Sequence, residues 1–246
     1  MVAPVYPSTP ARSAATLLRA DLLVVLLSLA VLLAWDLSGL DLALTSWFGN
    51  AQGFAWRDRW LTGTLLHDAA RWPAWGLFGV LLVGIWRPLP FARGLTKRER
   101  VWWVTTTLAC VILIPLLKRN SATSCPWDLA RFGGDVLDYV PHWQFWKRDG
   151  GSGQCFPSGH ASTAFSFLAG WFALRRSSPA AARRWLVITL ACGGVFAWVQ
   201  VMRGAHYLSH SLWTAWVCWT VCVLAVHAAR WRRVEPAAAG WGAAKG

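Results

Sequence analysis

Long apolar runs constrain this chain more than any other feature of its sequence. A helix needs about 20 mostly apolar residues to cross a bilayer, and six segments approach that length: 15–35, 73–88, 101–117, 160–175, 184–202 and 211–229. Hydrophobic residues make up 56% of the chain, a share that few soluble domains of this size reach. We therefore predict an all-α integral membrane protein with six transmembrane helices.

The placement of charge predicts how these spans are oriented. With the N-terminus inside, 15 of the 24 Lys and Arg residues fall in four cytoplasmic segments (1–20, 86–100, 175–184 and 230–246). The outside segments carry most of the aspartates: Asp36, Asp41, Asp58, Asp68, Asp128, Asp135, Asp138 and Asp149. This is the positive-inside pattern. We expect both termini in the cytoplasm, and the net charge of +13 then reflects topology and not a nucleic-acid-binding surface.

Two outside segments are expected to have structure of their own. Residues 54–72 fit an amphipathic helix in the membrane interface, and residues 118–159 form the main extramembrane loop. Trp127 to Trp146 of that loop fit either a cover for a bound headgroup or a packed lid. The ends, 1–14 and 234–246, are predicted to be disordered tails, so that one membrane domain occupies 15–233.

Two of the six cysteines, Cys125 and Cys155, lie in the main outside loop. Disulfides persist outside the cytoplasm, and we predict that these two residues form one. Two unpaired thiols are the alternative.

Three clusters of polar residues lie at the outside ends of spans three to six. The first is Lys118 with Arg119, the second is Pro157-Ser158-Gly159-His160, and the third contains Arg203, His206 and His210. Because neighbouring spans end on the same side of the membrane, we expect the clusters to meet.

The residue types in these clusters suit phosphate chemistry. Ser158 can cap a helix, Gly159 allows a ligand close to the backbone, and a helix N-terminus attracts an anion. His160, in that first turn, can donate a proton. His206 and His210 are one helical turn apart, and the Arg203 guanidinium suits bidentate contact with phosphate.

Each cluster also has a simpler interpretation. Lys118 and Arg119 fit a membrane boundary, and His160 fits a structural role. His206 and His210 fit an i, i+4 metal pair, but a third ligand such as His142 or His67 would have to come from a distance. We therefore expect no metal and no other cofactor.

These motifs resemble the type-2 phosphatidic-acid phosphatase family over roughly residues 118–216. The family pattern is Lys, six residues, Arg-Pro; then Pro-Ser-Gly-His; then Ser-Arg, five residues, His, three residues, Asp. Lys118, Pro157 to His160 and His206 match it. Cys125 and Gln200 replace the two arginines, and His210 replaces the aspartate. Arg203, Arg119 or Arg131 are candidate replacements for the missing arginines, and Asp128, Asp135 or Asp138 for the missing carboxylate.

The resemblance implies a metal-independent lipid phosphatase with a phosphohistidine intermediate. His206 would be the nucleophile and His160 the general acid and base, with His210 accepting a hydrogen bond from His206. Lys118, Arg119, Arg203, Ser158 and Gly159 would bind phosphate. The expected partners are a lipid phosphate and the bilayer, in a bacterial inner membrane with the site facing the periplasm. A lipid phosphotransferase and a non-catalytic lipid-phosphate binder or transporter remain alternatives, and the oligomeric state stays open.

Overall fold

Eight α-helices account for most of residues 14–229, the part of the chain that this computed structural model describes. They are α1 (Ala14–Ser38), α2 (Leu40–Thr45), α3 (Arg71–Val83), α4 (Lys97–Arg119), α5 (Gly159–Phe165), α6 (Ala169–Leu174), α7 (Pro179–Met202) and α8 (Leu208–Ala228). A short antiparallel pair, β1 (Gly49–Asn50) and β2 (Gly53–Phe54), follows α2. Apart from Ala14, where α1 begins, the two predicted tails lie outside the described residues.

Four helices, α1, α4, α7 and α8, are long and apolar enough to cross a membrane. This confirms a largely helical membrane protein. The other two predicted spans are helical but shorter. At 73–88 the structure has α3, with 13 residues, and at 160–175 it has α5 and α6, separated by a 3-10 turn at Ser166–Leu168.

The interruption between α5 and α6 coincides with a close contact to another helix. A 3-10 turn is tighter than an α-helix, and its carbonyl groups often find partners elsewhere. Trp185 of α7 donates its indole N–H to the Phe167 carbonyl at 2.7 Å. A Cβ on Gly170 would lie 2.2 Å from the same indole nitrogen. The segment therefore packs closely against α7, and its residues from Ala161 to Leu174 are mostly buried among α4, α7 and α8.

The ends of α4 are defined by its sequence. Thr96 and Glu99 form a reciprocal capping box at the N-terminus, with hydrogen bonds of 3.2 and 2.8 Å. Lys118 and Arg119 lie in the last turn, where positive charge is favoured by the helix dipole. This helix therefore places Lys118 at the end of the bundle where α5 and α8 begin.

The opposite end of the bundle is joined by one buried carboxylate. Asp21 of α1 accepts two hydrogen bonds from Arg175, at 2.6 and 2.7 Å. His227, near the end of α8, lies 2.8 Å from the same carboxylate. These contacts connect α1, the end of α6 and α8.

The predicted amphipathic helix at 54–72 is only partly helical. The structure has a π-helix at Trp60–Ala69, which continues into α3 after Ala70. π-helices are rare and are frequently found at functional sites. Here the π-helix lies against α7 and places Leu66 and His67 over the start of α5.

Candidate active site

The Pro157 to His160 turn is fixed against the start of α8. Ser158 caps α5, accepting a hydrogen bond from the Ala161 N–H at 3.4 Å. Its own N–H donates to the His210 carbonyl at 3.1 Å. Thr214 donates its hydroxyl to the Ser158 carbonyl at 2.9 Å. The second and third sequence clusters are therefore in direct contact.

Lys118, from the first cluster, lies beside the second cluster at the start of α5. A Cβ built on Gly159 would lie 4.0 Å from Lys118 Nζ. The ammonium group is therefore beside the N-terminus of α5, and two sources of positive potential coincide there. Arg119, the next residue, is exposed.

His206 lies between α7 and α8 and is 5% exposed. Burial lowers its pKa well below the usual value, and the charges of Lys118, His160 and His67 lower it further, against a hydrogen bond to the Cys155 backbone that raises it. The imidazole is therefore neutral at pH 7 and carries a lone pair, as a nucleophile requires.

Cys155 orients His206. The Nδ1 atom of His206 lies 3.4 Å from Cys155 Sγ, and the Cys155 backbone also contributes a hydrogen bond. The side of the ring that carries Nδ1 therefore faces Cys155, and Nε2 is the nitrogen left for a substrate.

His210 does not occupy the role that was expected of it. Its Nδ1–H donates to the Cys155 carbonyl at 3.0 Å, and the centroids of the His206 and His210 rings are 5.8 Å apart. The predicted hydrogen bond from His206 to His210 is therefore wrong, because the Nδ1 atoms of both imidazoles face Cys155.

The sulfur atoms of Cys125 and Cys155 lie at the disulfide distance, 2.04 Å, as predicted. The Cys155 N–H also donates to the Thr123 carbonyl at 3.0 Å. Residue 155 is thus fixed through both its side chain and its backbone. Although Cys125, Cys155 and His206 are close enough to resemble a metal site, the disulfide removes both thiolates as ligands.

Arg203 ends α7 and points toward the π-helix side of the site. Its Nε donates to the Arg57 carbonyl at 2.8 Å, and the side chain is 7% exposed. One terminal nitrogen, Nη1, is buried and has no partner among the described residues. Because buried N–H groups are nearly always paired, this nitrogen is well suited to a phosphate oxygen.

His160 is held under the π-helix. Its Nε2–H donates to the Leu66 carbonyl at 2.9 Å, and the His67 ring stacks on it with the ring centroids 4.8 Å apart. Burial, followed by the charge of Arg203, lowers the pKa of His67. The imidazole of His67 therefore favours the neutral form.

The geometry agrees with the match of the chain to a known family. A family model of the PAP2 superfamily matches residues 99–234, which is more than half of the chain. The chain belongs to the PAP2 superfamily. Its members are generally phosphatases, so membership supports phosphatase-type activity on phosphate esters. No curated protein and no solved structure matches the chain significantly.

Gln200 stands where the family pattern has an arginine, and its backbone helps to hold the turn before His206. It is 1% exposed, and neither its amide nitrogen nor its amide oxygen has a partner among the described residues. Its backbone carbonyl accepts hydrogen bonds from Ala205 and His206, at 2.9 and 3.3 Å. Gln200 therefore shapes the turn that carries His206 and retains a free amide N–H.

Gly204, two residues before His206, is required by the local geometry. Gly204 has φ of +68°, and a Cβ there would lie 2.3 Å from the ring of Phe54. Any other residue would be strained and would clash. The turn into α8 is consequently packed against β2.

Several site residues lie outside the PAP2 match. Arg57, Leu66 and His67 contact Arg203 or His160, and Asp41 accepts hydrogen bonds from the backbone and the hydroxyl of Ser209. The sequence placed 54–72 at the membrane interface and gave no reason to join it to His160. The contacts span more than 90 residues, and no motif marks them.

Proposed function

We propose that this protein is a metal-independent membrane lipid phosphatase, which releases phosphate from a monoester or pyrophosphate on a lipid. The observation that carries the proposal is the position of a buried, neutral His206 beside Lys118, with the α5 N-terminus and His160 close by. A nucleophile, a fixed positive charge and a proton donor are thus grouped at one end of the bundle.

In the first step, the lone pair on His206 Nε2 attacks phosphorus. The bond from phosphorus to the lipid oxygen breaks, and His160, which would be protonated to the imidazolium in the complex with the phosphate anion, gives its Nε2 proton to that oxygen and becomes neutral. The products are the dephosphorylated lipid and a phosphohistidine. Before this transfer, His160 must release its hydrogen bond to the Leu66 carbonyl, so binding of the substrate would displace the π-helix slightly.

In the second step, His160 takes a proton from water and the hydroxyl oxygen attacks phosphorus. The bond from phosphorus to His206 breaks, which releases inorganic phosphate. Both histidines are then back in the protonation states from which the first step began. Lys118, Arg203 and the amide of Gly159 would hold the non-bridging oxygens, whose negative charge must be stabilised in both transition states. Gln200 would add its free amide N–H.

The charge pattern and the membrane helices support a location in a bacterial inner membrane, with both termini cytoplasmic and the site facing the periplasm. The remaining two helical segments, 73–88 and 160–175, would complete six spans. The lipid chains would stay in the bilayer, and the exposed Phe145 and Trp146 would contact its interface. The candidate substrates are phosphatidic acid, phosphatidylglycerophosphate, undecaprenyl pyrophosphate and lipid A.

The experiment is phosphate release from these four lipids by purified protein in detergent, with H206A as the inactive variant. Wild type is expected to release phosphate from at least one lipid and to form an acid-labile phosphoenzyme, and H206A to do neither. Phosphate release by H206A at the wild-type rate would refute the assignment of His206 as the nucleophile. Lipid binding by wild type without turnover would indicate a binder or transporter, and transfer of phosphate to an added lipid acceptor would indicate a phosphotransferase.

A further inference from the structure

A second cluster of ligand-type side chains lies beside His210. It consists of Asp36 at the end of α1, Asp41 in α2 and His142 in the outside loop. One potential ligand atom of each lies within 4.8 Å of the other two. We propose that these three residues bind a divalent metal ion of the zinc class, which holds the outside loop against α1 and α2.

Two atoms in this cluster are buried without partners. The side chains of His142 and Asp36 are 4% and 2% exposed. Neither His142 Nε2 nor Asp36 Oδ1 makes a hydrogen bond with a described residue. Buried polar atoms nearly always have a partner, and a metal ion would provide one for both.

The spacing of the nearest pair fits shared ligands better than a hydrogen bond. His142 Nε2 lies 3.2 Å from Asp36 Oδ2, but the two atoms lack hydrogen-bond geometry. Two ligands of a tetrahedral zinc ion, with bonds of about 2.0 Å, are separated by roughly 3.3 Å. The free Oδ1 of Asp36 would allow this carboxylate to bind through both oxygens.

The surrounding hydrogen bonds orient the carboxylates as an outer shell of a metal site would. Trp213 donates its indole N–H to Asp36 at 2.9 Å, and Trp35 donates to Asp41 at 2.8 Å. The backbone N–H of Ser209 donates to Asp41 at 3.1 Å. Asp41 Oδ1 accepts both of its bonds, whereas Asp36 Oδ2 and Asp41 Oδ2 each accept one hydrogen bond and retain a second lone pair for a metal ion.

Charge also favours a cation here. The Asp36 and Asp41 carboxylates lie close together beside His142. A divalent ion would neutralise both carboxylates and leave His142 as a neutral ligand, which avoids an uncompensated buried charge.

The cluster is close to the active site without being part of it. The ring centroids of His142 and His210 are 5.4 Å apart, and Asp41 is bonded to Ser209, next to His210. A bound ion would therefore support the start of α8 and would take no part in the phosphoryl transfer. Carboxylate and imidazole ligands suit zinc, and manganese is the nearest alternative.

The test is the zinc content of tag-free protein in detergent, measured by mass spectrometry after incubation with ZnCl2 and removal of excess metal. We expect one zinc per chain in wild type and in H206A, and at least a tenfold weaker affinity in H142Q and D36N. H227Q is the matched control, because it alters the other buried Asp–His contact, at Asp21, and should keep its zinc. Replacing His142 by Cys, another zinc ligand, should restore binding.

Wild-type protein that binds no zinc, or H142Q and D36N variants that bind it as tightly as wild type, would overturn the proposal. If these variants aggregate, measurements on the wild-type protein alone still test the proposal. ZnCl2 should then raise its Tm, a chelator should reverse the rise, and Co2+ should give the visible spectrum of a tetrahedral site. The absence of all three effects would equally refute the metal site.

Discussion

The imidazole of His67 stacks on that of His160, with ring centroids 4.8 Å apart and an angle of 27° between the ring planes. His67 belongs to the π-helix, and the carbonyl of the residue before it, Leu66, accepts a hydrogen bond from His160 Nε2–H. The proposed general acid is thus covered by a segment that comes from a distant part of the chain.

Because His67 keeps His160 in place by ring contact, H67A should lower kcat by about tenfold, whereas H67F, which retains a ring, should lose less. H160A should lower kcat by about 10²-fold or more, as expected for a general acid. Steady-state kinetics on a lipid phosphate would measure each effect. A normal kcat for H160A would remove this residue from the mechanism.

The acid limb of kcat/KM should lie below pH 6.5. This profile reports the free enzyme, in which burial and the charge of Lys118 lower the pKa of His206 below the usual value of about 6.5. His206 therefore stays unprotonated as the pH falls through 6.5. The measurement is kcat/KM between pH 4 and 8, and an acid limb above 6.5 would contradict a neutral buried nucleophile.

The same lowered pKa predicts how stability depends on pH. The unfolded chain binds a proton at this histidine below about pH 6.5, whereas the folded chain does so only at lower pH. Folding stability therefore falls as the pH drops below that value, and His206 has no such effect above it. Thermal unfolding at several pH values should show a weaker acid dependence in H206A than in wild type.

Reduction of the disulfide should impair both stability and activity. A bridge between residues 30 apart in sequence stabilises by about 3 kcal/mol on the loop-entropy model. Cys155 also orients His206 and His210, so the double variant C125A/C155A should have a lower Tm and a lower kcat. C192A, which removes an exposed free cysteine, should match wild type in both measurements. Equal activity with and without dithiothreitol would show that Cys155 does not need the bridge.

Replacing Arg203 by lysine should lower activity even though the positive charge is kept. Lysine cannot donate to the Arg57 carbonyl and contact phosphate at the same time, because it lacks the fork of the guanidinium. R203K should therefore lower kcat/KM by about 10-fold or more, through KM as well as kcat. R131A, which alters an exposed arginine beside Phe132, is the control and should be unaffected.

At the other end of the bundle, Asp21 should be important for stability but not for catalysis. D21N leaves Arg175 buried without its countercharge, a change that typically costs about 3–5 kcal/mol. A markedly lower Tm with near-normal activity of the surviving protein is expected. R183A, at an exposed position of α7, should unfold like wild type.

The sequence predicted those features that depend on composition and short spacing. Apolar length identified the membrane helices, and the Pro157 to His160 motif identified the start of α5, because a cap, a glycine and a helix N-terminus are local features. Lys118 and His206 were brought to the same site as expected. The disulfide followed from two cysteines in one outside loop.

The features that the sequence did not predict depend on contacts across the fold. Nothing local indicates that Cys155 would lie beside His206 Nδ1, or that the Leu66 carbonyl would accept a hydrogen bond from His160. The hydrogen bonds from Ala205 and His206 to the Gln200 backbone carbonyl could not be predicted either, because they depend on the backbone conformation of the turn. The 3-10 turn at Ser166–Leu168 likewise depends on Trp185, which lies on another helix.

The contacts of Arg57, Leu66 and His67 with the site have one more consequence. In the proposed mechanism, the motifs between Lys118 and His210 would supply the chemistry, whereas the segment before α4 would form one wall of the substrate site and cover the general acid. The residues that carry out the reaction and the residues that line the substrate site would therefore come from two different segments of one fold. Exchanging residues 39–70 between members of the superfamily would therefore transfer substrate preference from one protein to the other. The type of reaction would stay the same.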